Sequence, residues 1–166
     1  MPVVRPTKMK IESFNNPAYS GKPLHTYTLM FNPETYETLY TIVCGTQNSF
    51  NNKRSVAVFK EEKLSDFSLK FTLDGTGVGA AASGRGTDPV DVTRELELFY
   101  KTVKTPLEFR FDKGKYVRMP YCRLSWGDNI HKGMLKSAKV TVTLLTPDGK
   151  PLRAKVDAVF SGSPST

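Results

Sequence analysis

Ala138-Lys139-Val140-Thr141-Val142-Thr143-Leu144-Leu145-Thr146-Pro147-Asp148-Gly149-Lys150-Pro151-Leu152-Arg153-Ala154-Lys155-Val156-Asp157-Ala158-Val159-Phe160 is the stretch that decides the fold class. In its first half Ala138, Val140, Val142 and Leu144 alternate with Lys139, Thr141 and Thr143. In its second half Leu152, Ala154, Val156, Ala158 and Phe160 alternate with Arg153, Lys155 and Asp157. Successive side chains of a strand point to opposite faces, so this period marks two strands that each bury one face. Asp148-Gly149 between two alternating runs predicts a tight antiparallel hairpin.

The same period recurs upstream. From Leu64 to Leu73, the residues Phe67, Leu69, Phe71 and Leu73 point one way, while Ser68, Lys70 and Thr72 point the other. Shorter alternations hold Met9 and Ile11; Tyr27, Leu29 and Phe31; Leu107, Phe109 and Phe111; and Cys122, Leu124 and Trp126. About seven antiparallel strands are expected from these signals. One segment departs from the rule: Val92, Leu96, Phe99 and Val103 are spaced as one stripe of a helix. A single helix is therefore predicted over about 88–104. Asp88 would be its N-cap, Pro89 its first residue, Asp91 a favourable charge at its start, Lys101 and Lys104 its basic end, and Pro106 its stop. The fold class is mainly β: a small antiparallel β-barrel or sandwich with one flanking α-helix resting on the sheet or on an open barrel end.

Composition agrees. The chain has 166 residues, 39% of them hydrophobic, which suits one ordinary domain spanning 1–166 with a loose Ser/Pro tail at 161–166. Lys and Arg number 24 against 16 Asp and Glu, a net charge of +8. Cys44 and Cys122 lie far apart without CxxC spacing, so a reducing compartment is the simpler reading. No apolar run approaches the roughly 20 residues needed to span a bilayer, and Met1-Pro2-Val3-Val4-Arg5-Pro6 is not the start of a signal peptide. The expectation is a soluble protein made in the cytoplasm, without membrane insertion.

Two stretches lack a packed pattern. Residues 75–87 carry five of the twelve glycines and almost no bulk, which predicts a mobile loop. The segment from Cys44 to Lys63 is long for a connection, and it sets Val56, Val58 and Phe59 between Lys53-Arg54 and Lys60-Glu61-Glu62-Lys63. Long loops of compact domains usually carry function.

Candidate chemistry is sparse. Gly75-Thr76-Gly77-Val78-Gly79-Ala80 fits G-x-G-x-x-A only by force, since dinucleotide binding needs the glycines to open a helix within a parallel βαβ unit. His25 and His131 are the only histidines, and nothing marks either cysteine as activated; both cysteines read best as small core residues. The carboxylates are scattered and metal-ligand spacing is missing. No catalytic residue, cofactor or metal is expected. Basic charge with ten Phe, seven Tyr and one Trp leaves one chemical alternative, a basic β-barrel that binds nucleic acid by stacking bases. Against it, Phe67, Phe71, Phe109, Phe111 and Trp126 fall on apolar strand faces, and the cations alternate with Thr, Glu and Asp.

At Leu29-Met30-Phe31-Asn32-Pro33-Glu34-Thr35-Tyr36 the sequence resembles a known family: the tube-type domain of contractile injection systems, found in tube initiator or adaptor proteins and related to phage tail tubes. Matching features follow in order: Leu64 to Leu73 leading into Asp74-Gly75-Thr76-Gly77; the helix; Tyr121 to Gly127 with its Trp-Gly; Lys132-Gly133; and Leu145 to Phe160. The resemblance covers about residues 8–160. It implies a non-enzymatic structural protomer that forms a hexameric ring around a lumen. That ring would lie between a trimeric spike and the stacked inner tube of a tail-like particle, assembled in the cytoplasm and then released or membrane-docked. The implied partners are further copies of the chain, a spike protein and tube rings, with no specific nucleic acid. Relatives of this kind often continue into a peptidoglycan-binding LysM domain, where this chain has its Ser/Pro tail, so cell-wall binding is not expected.

Ring closure has a physical motive, because an open antiparallel sheet leaves unpaired edges that a neighbour can cover. Lys139, Thr141, Thr143, Arg153, Lys155 and Asp157 form the polar face of the hairpin and are candidates for the lumen wall, an outer solvated face being the competing reading. Phe50, Arg54, Val56, Val58 and Phe59 are candidates for an arm that packs on a neighbouring subunit or ring.

Overall fold

The Phe67-to-Leu73 alternation becomes the inner face of the longest strand among the described residues. A computed structural model describes residues 7–48, 55–84, 88–111 and 114–162. In chain order the elements are β1 (Lys10–Phe14), β2 (His25–Thr28), β3 (Thr35–Asn48), β4 (Ser55–Asp74), α1 (Gly77–Ala82), α2 (Val92–Lys104), β5 (Leu107–Phe111), β6 (Gly114–Arg118), β7 (Tyr121–Trp126), β8 (Asn129–Gly133), β9 (Leu135–Leu145) and β10 (Pro151–Phe160). They form one sheet in the order β2-β1-β7-β8, a second in the order β3-β4-β10-β9, and a two-stranded hairpin β5-β6. All pairings are antiparallel.

The architecture is mainly β and sandwich-like, not a closed barrel. The inner faces of the two four-stranded sheets share one core. The second sheet contributes Phe67, Leu69, Phe71 and Leu73 from β4, and Ala154, Val156, Ala158 and Phe160 from β10. The first contributes Met9 beside β1, with Ile11, Tyr27, Cys122 and Leu124. Each large side chain removed from water in this way contributes about 1.5–3 kcal/mol. The β9–β10 hairpin turns as its sequence predicts: Gly149 has φ +84°, and Thr146 N donates to Lys150 O at 2.9 Å.

Helix α2 closes the sandwich, packing on β1 and β2 of one sheet and on β4 and β10 of the other. Val92, Phe99 and Val103 are buried as the stripe predicts, and Leu96 is half-buried. The helix starts later than expected. Asp91, not Asp88, is the N-cap, accepting from the amides of Thr93 at 3.0 Å and Arg94 at 3.3 Å. Glu95 is also buried on this face, where the Tyr27 hydroxyl donates to it at 3.1 Å.

Three expectations need correction. Residues 75–87 are not all loop, because Gly77–Ala82 forms the short helix α1, N-capped by the Thr76 hydroxyl that accepts from Gly79 N. The helix count is thus two. The stretch from Cys44 to Lys63 is not an irregular connection either: its described residues lie on β3 and β4, which pair from Thr35 opposite Lys70 to Asn48 opposite Ser55. Alternation fails there because no core lies against the outer part of the pair, so nothing selects one apolar face. Finally, β5 forms at the Leu107, Phe109 and Phe111 alternation, whereas β6 and β8 add strands that short, mixed sequences do not announce. Of the aromatic residues expected in the core, Phe67 and Phe71 are buried and Trp126 is half-buried, its indole N–H donating to Thr7 O at 3.1 Å. Phe109 and Phe111 lie on β5, but their side chains are outside the described set.

The chain end of β10 is locked to the β8–β9 junction. Ser161 N donates to Met134 O at 2.8 Å, and Met134 N donates to Ser161 Oγ at 3.2 Å. A Cβ at Gly133 would stand 1.7 Å from the Ser161 carbonyl oxygen, so only glycine fits without moving main chain. We expect Gly133→Ala to lower unfolding free energy by about 2–3 kcal/mol in urea titration; wild-type stability in this variant would show that the junction adjusts freely.

Candidate functional site

Two surfaces stand out, and both belong to the sheet β3-β4-β10-β9. The first is its outward face. Because Ala154, Val156 and Ala158 point into the core, Arg153, Lys155 and Asp157 must point away from it, and the register sets Lys155 beside Thr141 and Asp157 beside Lys139. All six polar residues named from the sequence therefore share one side of β9–β10, with Thr143 Oγ1 donating to Arg153 O at 3.5 Å across a bulged stretch.

Residues of β4 and the β3 entry complete this face. Lys70 lies opposite Asp157, with Nζ 3.7 Å from its carboxylate. Arg153 lies opposite Asp74 and binds it at 2.8 Å and 3.0 Å. Lys155 Nζ is 3.8 Å from Glu34, whose carboxylate also accepts from the Thr72 hydroxyl at 2.6 Å. Ser68, Lys70 and Thr72 are the polar positions of the Leu64-to-Leu73 alternation, so their facing was legible. Their partnership with β10 was not, since it depends on which strands pair.

Asp74 is the most constrained group here. Burial opposes its ionisation, but hydrogen bonds from the Thr76 hydroxyl at 2.6 Å and Thr76 amide at 2.9 Å, and from Arg153, outweigh burial and hold its pKa below the ordinary carboxylate value. This carboxylate also packs against Gly79, where an added Cβ would meet the Asp74 carboxyl carbon at 2.6 Å. The glycine run does open a helix, but a carboxylate occupies its start and no parallel βαβ unit surrounds it. A dinucleotide phosphate would be repelled there.

The second surface is the far half of β3–β4. β10 pairs with β4 only over Phe67–Asp74, so Ser55 to Asp66 has β3 as its only strand partner among the described residues. At about 3.4 Å per residue this two-stranded ribbon extends roughly 35–40 Å. Two bulges re-aim it. Val43 pairs with Glu61 and Cys44 with Phe59, leaving Lys60 as an extra residue on β4, and a second register shift lies between Thr38 and Tyr40. Val58 is 40% exposed, Phe59 62% and Ile42 62%. Among the arm candidates, Val58 and Phe59 therefore lie exposed on the ribbon, and Val56 lies on β4 with its side chain outside the described set. Phe50 and Arg54 fall outside the described residues.

The sheet's two outer strands also expose apolar side chains: Leu39 and Ile42 on β3, and Val142, Leu144 and Leu145 on β9. Sequence patterning assigned Val142 and Leu144 to a packed face. Both are 40% exposed, and the bulge at Thr143 sets Leu144 opposite Arg153 of the outward face. At the base of the ribbon, His131 stacks on Phe67 with ring centroids 4.3 Å apart, and Tyr36 meets both His131 and Trp126. Burial lowers the His131 pKa, so the ring is neutral at pH 7. His25 lies on β2, half-buried.

The cysteines separate. Cys122 is fully buried, with its thiol 3.8 Å from Pro120 O, and burial pushes its pKa up to about 12, which removes the thiolate that nucleophilic chemistry needs. Cys44 is exposed on β3, contrary to its reading as a core residue. Among the described residues no helix is long and apolar enough to cross a membrane.

The described fold is an antiparallel β-sandwich with a two-stranded ribbon and a polar sheet face. Residues 5–166 match the family described as contractile injection system tube protein, and the chain belongs to that family. It is accordingly a tube component of a tail-like particle. No curated protein matches the chain.

Two outcomes follow from these environments. Under native conditions a maleimide should label Cys44 quickly and Cys122 only after unfolding, as read by intact mass; equal rates would contradict the burial of Cys122. Asp74→Asn should cost about 1 kcal/mol at pH 7. Because folding lowers the Asp74 pKa, its stabilisation is complete above the ordinary value of 3.8 and is lost as pH falls through the folded value. The gap between the two proteins in denaturant titrations should therefore close on acidification below that value.

Proposed function

We propose that the chain is a non-enzymatic ring component of the tube, acting as initiator or adaptor between spike and stacked tube rings and closing as a hexameric ring. The observation that carries this reading is the pair of outer strands on one sheet. β3 and β9 run 14 and 11 residues, and both expose apolar side chains. In a monomer, such edges offer unpaired amides and carbonyls to any passing strand. A head-to-tail contact of β9 on one copy with β3 on the next is heterologous, and cyclic closure then removes every such edge.

In that ring the outward face carrying Lys139, Thr141, Thr143, Arg153, Lys155 and Asp157 lines the lumen. Phe50, Arg54, Val56, Val58 and Phe59 belong to the proposed arm that clasps a neighbouring subunit or ring, and the ribbon carries Val58 and Phe59 of that set. Its backbone is already paired within the chain, so a partner would supply side-chain burial and not the ladder. A two-stranded ribbon is marginal by itself in water, which favours a role in contact with another copy.

Ile42→Asp and Leu144→Asp, made separately, should each leave a folded monomer by circular dichroism and abolish rings in negative-stain electron microscopy. The double change Val58→Asp, Phe59→Asp should likewise leave the monomer folded and abolish stable ring or inter-ring association. Rings that survive both edge substitutions would overturn the proposed closure.

A further inference from the structure

The chain carries a net charge of +8, yet where β4, β10 and β9 pair the described charges of the outward face balance, the Lys136–Asp66 pair at 2.7 Å included. Lys70, Lys139, Arg153 and Lys155 are its cations along the paired strands. Asp157 stands in register between Lys70 and Lys139, Asp74 holds Arg153, and Glu34 faces Lys155. Glu37, opposite Ser68 on the same side, brings the face to neutrality. The compensation is built in across strands: each of these ion pairs joins β10 to the β3–β4 side of the sheet, and Thr72 and Thr76 hydroxyls fix two of the carboxylates. The described ion pairs of this face therefore add no net charge to it.

We infer that Glu34, Asp74 and Asp157 are specificity-determining residues that cancel the cations of this face, so that it retains neither polyanions nor polycations. The inference rests on the lumen reading for its biological meaning, a wall along which macroions of either sign pass without being held. Its physical basis is independent of that reading. Retention of a polyanion depends on the number of uncompensated cations that displace its counterions, and on a neutral face that number is near zero. Removing two carboxylates while keeping side-chain shape would take from Lys70, Lys139 and Lys155 the carboxylates that face them, leave the face with a net charge of about +2, and turn it into a polyanion site.

The test compares the wild-type full chain with Glu34→Gln, Asp157→Asn. Each is mixed with a labelled single-stranded oligodeoxynucleotide of 20 bases or with oligolysine, and lysine acetylation is then mapped by mass spectrometry. In the wild type, Lys70, Lys139 and Lys155 should acetylate at the same rate with and without the oligonucleotide. In the variant, the oligonucleotide should slow them by about tenfold at low salt, with protection lost as salt is raised. Oligolysine should change neither pattern. Protection of these lysines in the wild type, or none in the variant, would overturn the inference. Electron microscopy of the same samples reports ring formation separately: missing rings would count against the assembly proposal, while the lysine map still decides the charge proposal in the monomer.

Discussion

The pairing of β4 with β10, from Asp74 opposite Arg153 to Phe67 opposite Phe160, is the interaction on which the rest of this protein depends. On its inner side Phe71 lies opposite Val156 and Leu69 opposite Ala158, and these residues anchor the shared core and the seat of α2. On its outer side the same register brings Lys70 to Asp157 and Arg153 to Asp74. A shift by one residue would exchange the two faces, burying the ion pairs and exposing the phenylalanines. The hydrophobic effect therefore sets the register, and the register assembles the polar face.

Around that central pair the sheet is finished unevenly. Toward the first sheet and α2, the inner apolar face is covered. Toward the outer strands the cover runs out: β9 exposes Val142 and, past a bulge, Leu144, and β3–β4 continues beyond its pairing with β10 as a bulged ribbon. Evolution commonly blunts such edges with charge, proline or short strands. Here the edges are long and apolar, which is economical only for a protein whose edges meet other chains. Membership of the contractile injection system tube family is consistent with that logic.

Charge is distributed with the same asymmetry. The ion pairs of the outward face are mostly solvent-exposed and each contributes at most about 1 kcal/mol to stability. Their consequence is electrostatic, since they cancel within the sheet. Asp74 shows how firmly one of them is held, being tied to Thr76 and Arg153 at the point where β4 gives way to α1.

The alternation in Leu64–Leu73 and Ala138–Phe160 determined by itself that these segments are strands, that Asp148-Gly149 turns between β9 and β10, and which face is buried in β10 and the Phe67–Leu73 part of β4, but not at Val142 and Leu144 of β9. The stripe from Val92 to Val103 likewise determined α2. These readings succeed because burial against a core imposes a period that composition cannot mimic. The cap at Asp91, the helix at Gly77–Ala82, the exposure of Cys44 and the strands of the ribbon were not legible. The first two depend on local hydrogen bonds that several Asp, Thr and Gly residues could equally make. The last two depend on the absence of a covering layer, which leaves no mark in the sequence. Which carboxylate meets which cation was decided only by the tertiary structure, because cross-strand partners such as Lys70 and Asp157 are far apart in the chain and become neighbours only when β4 and β10 pair.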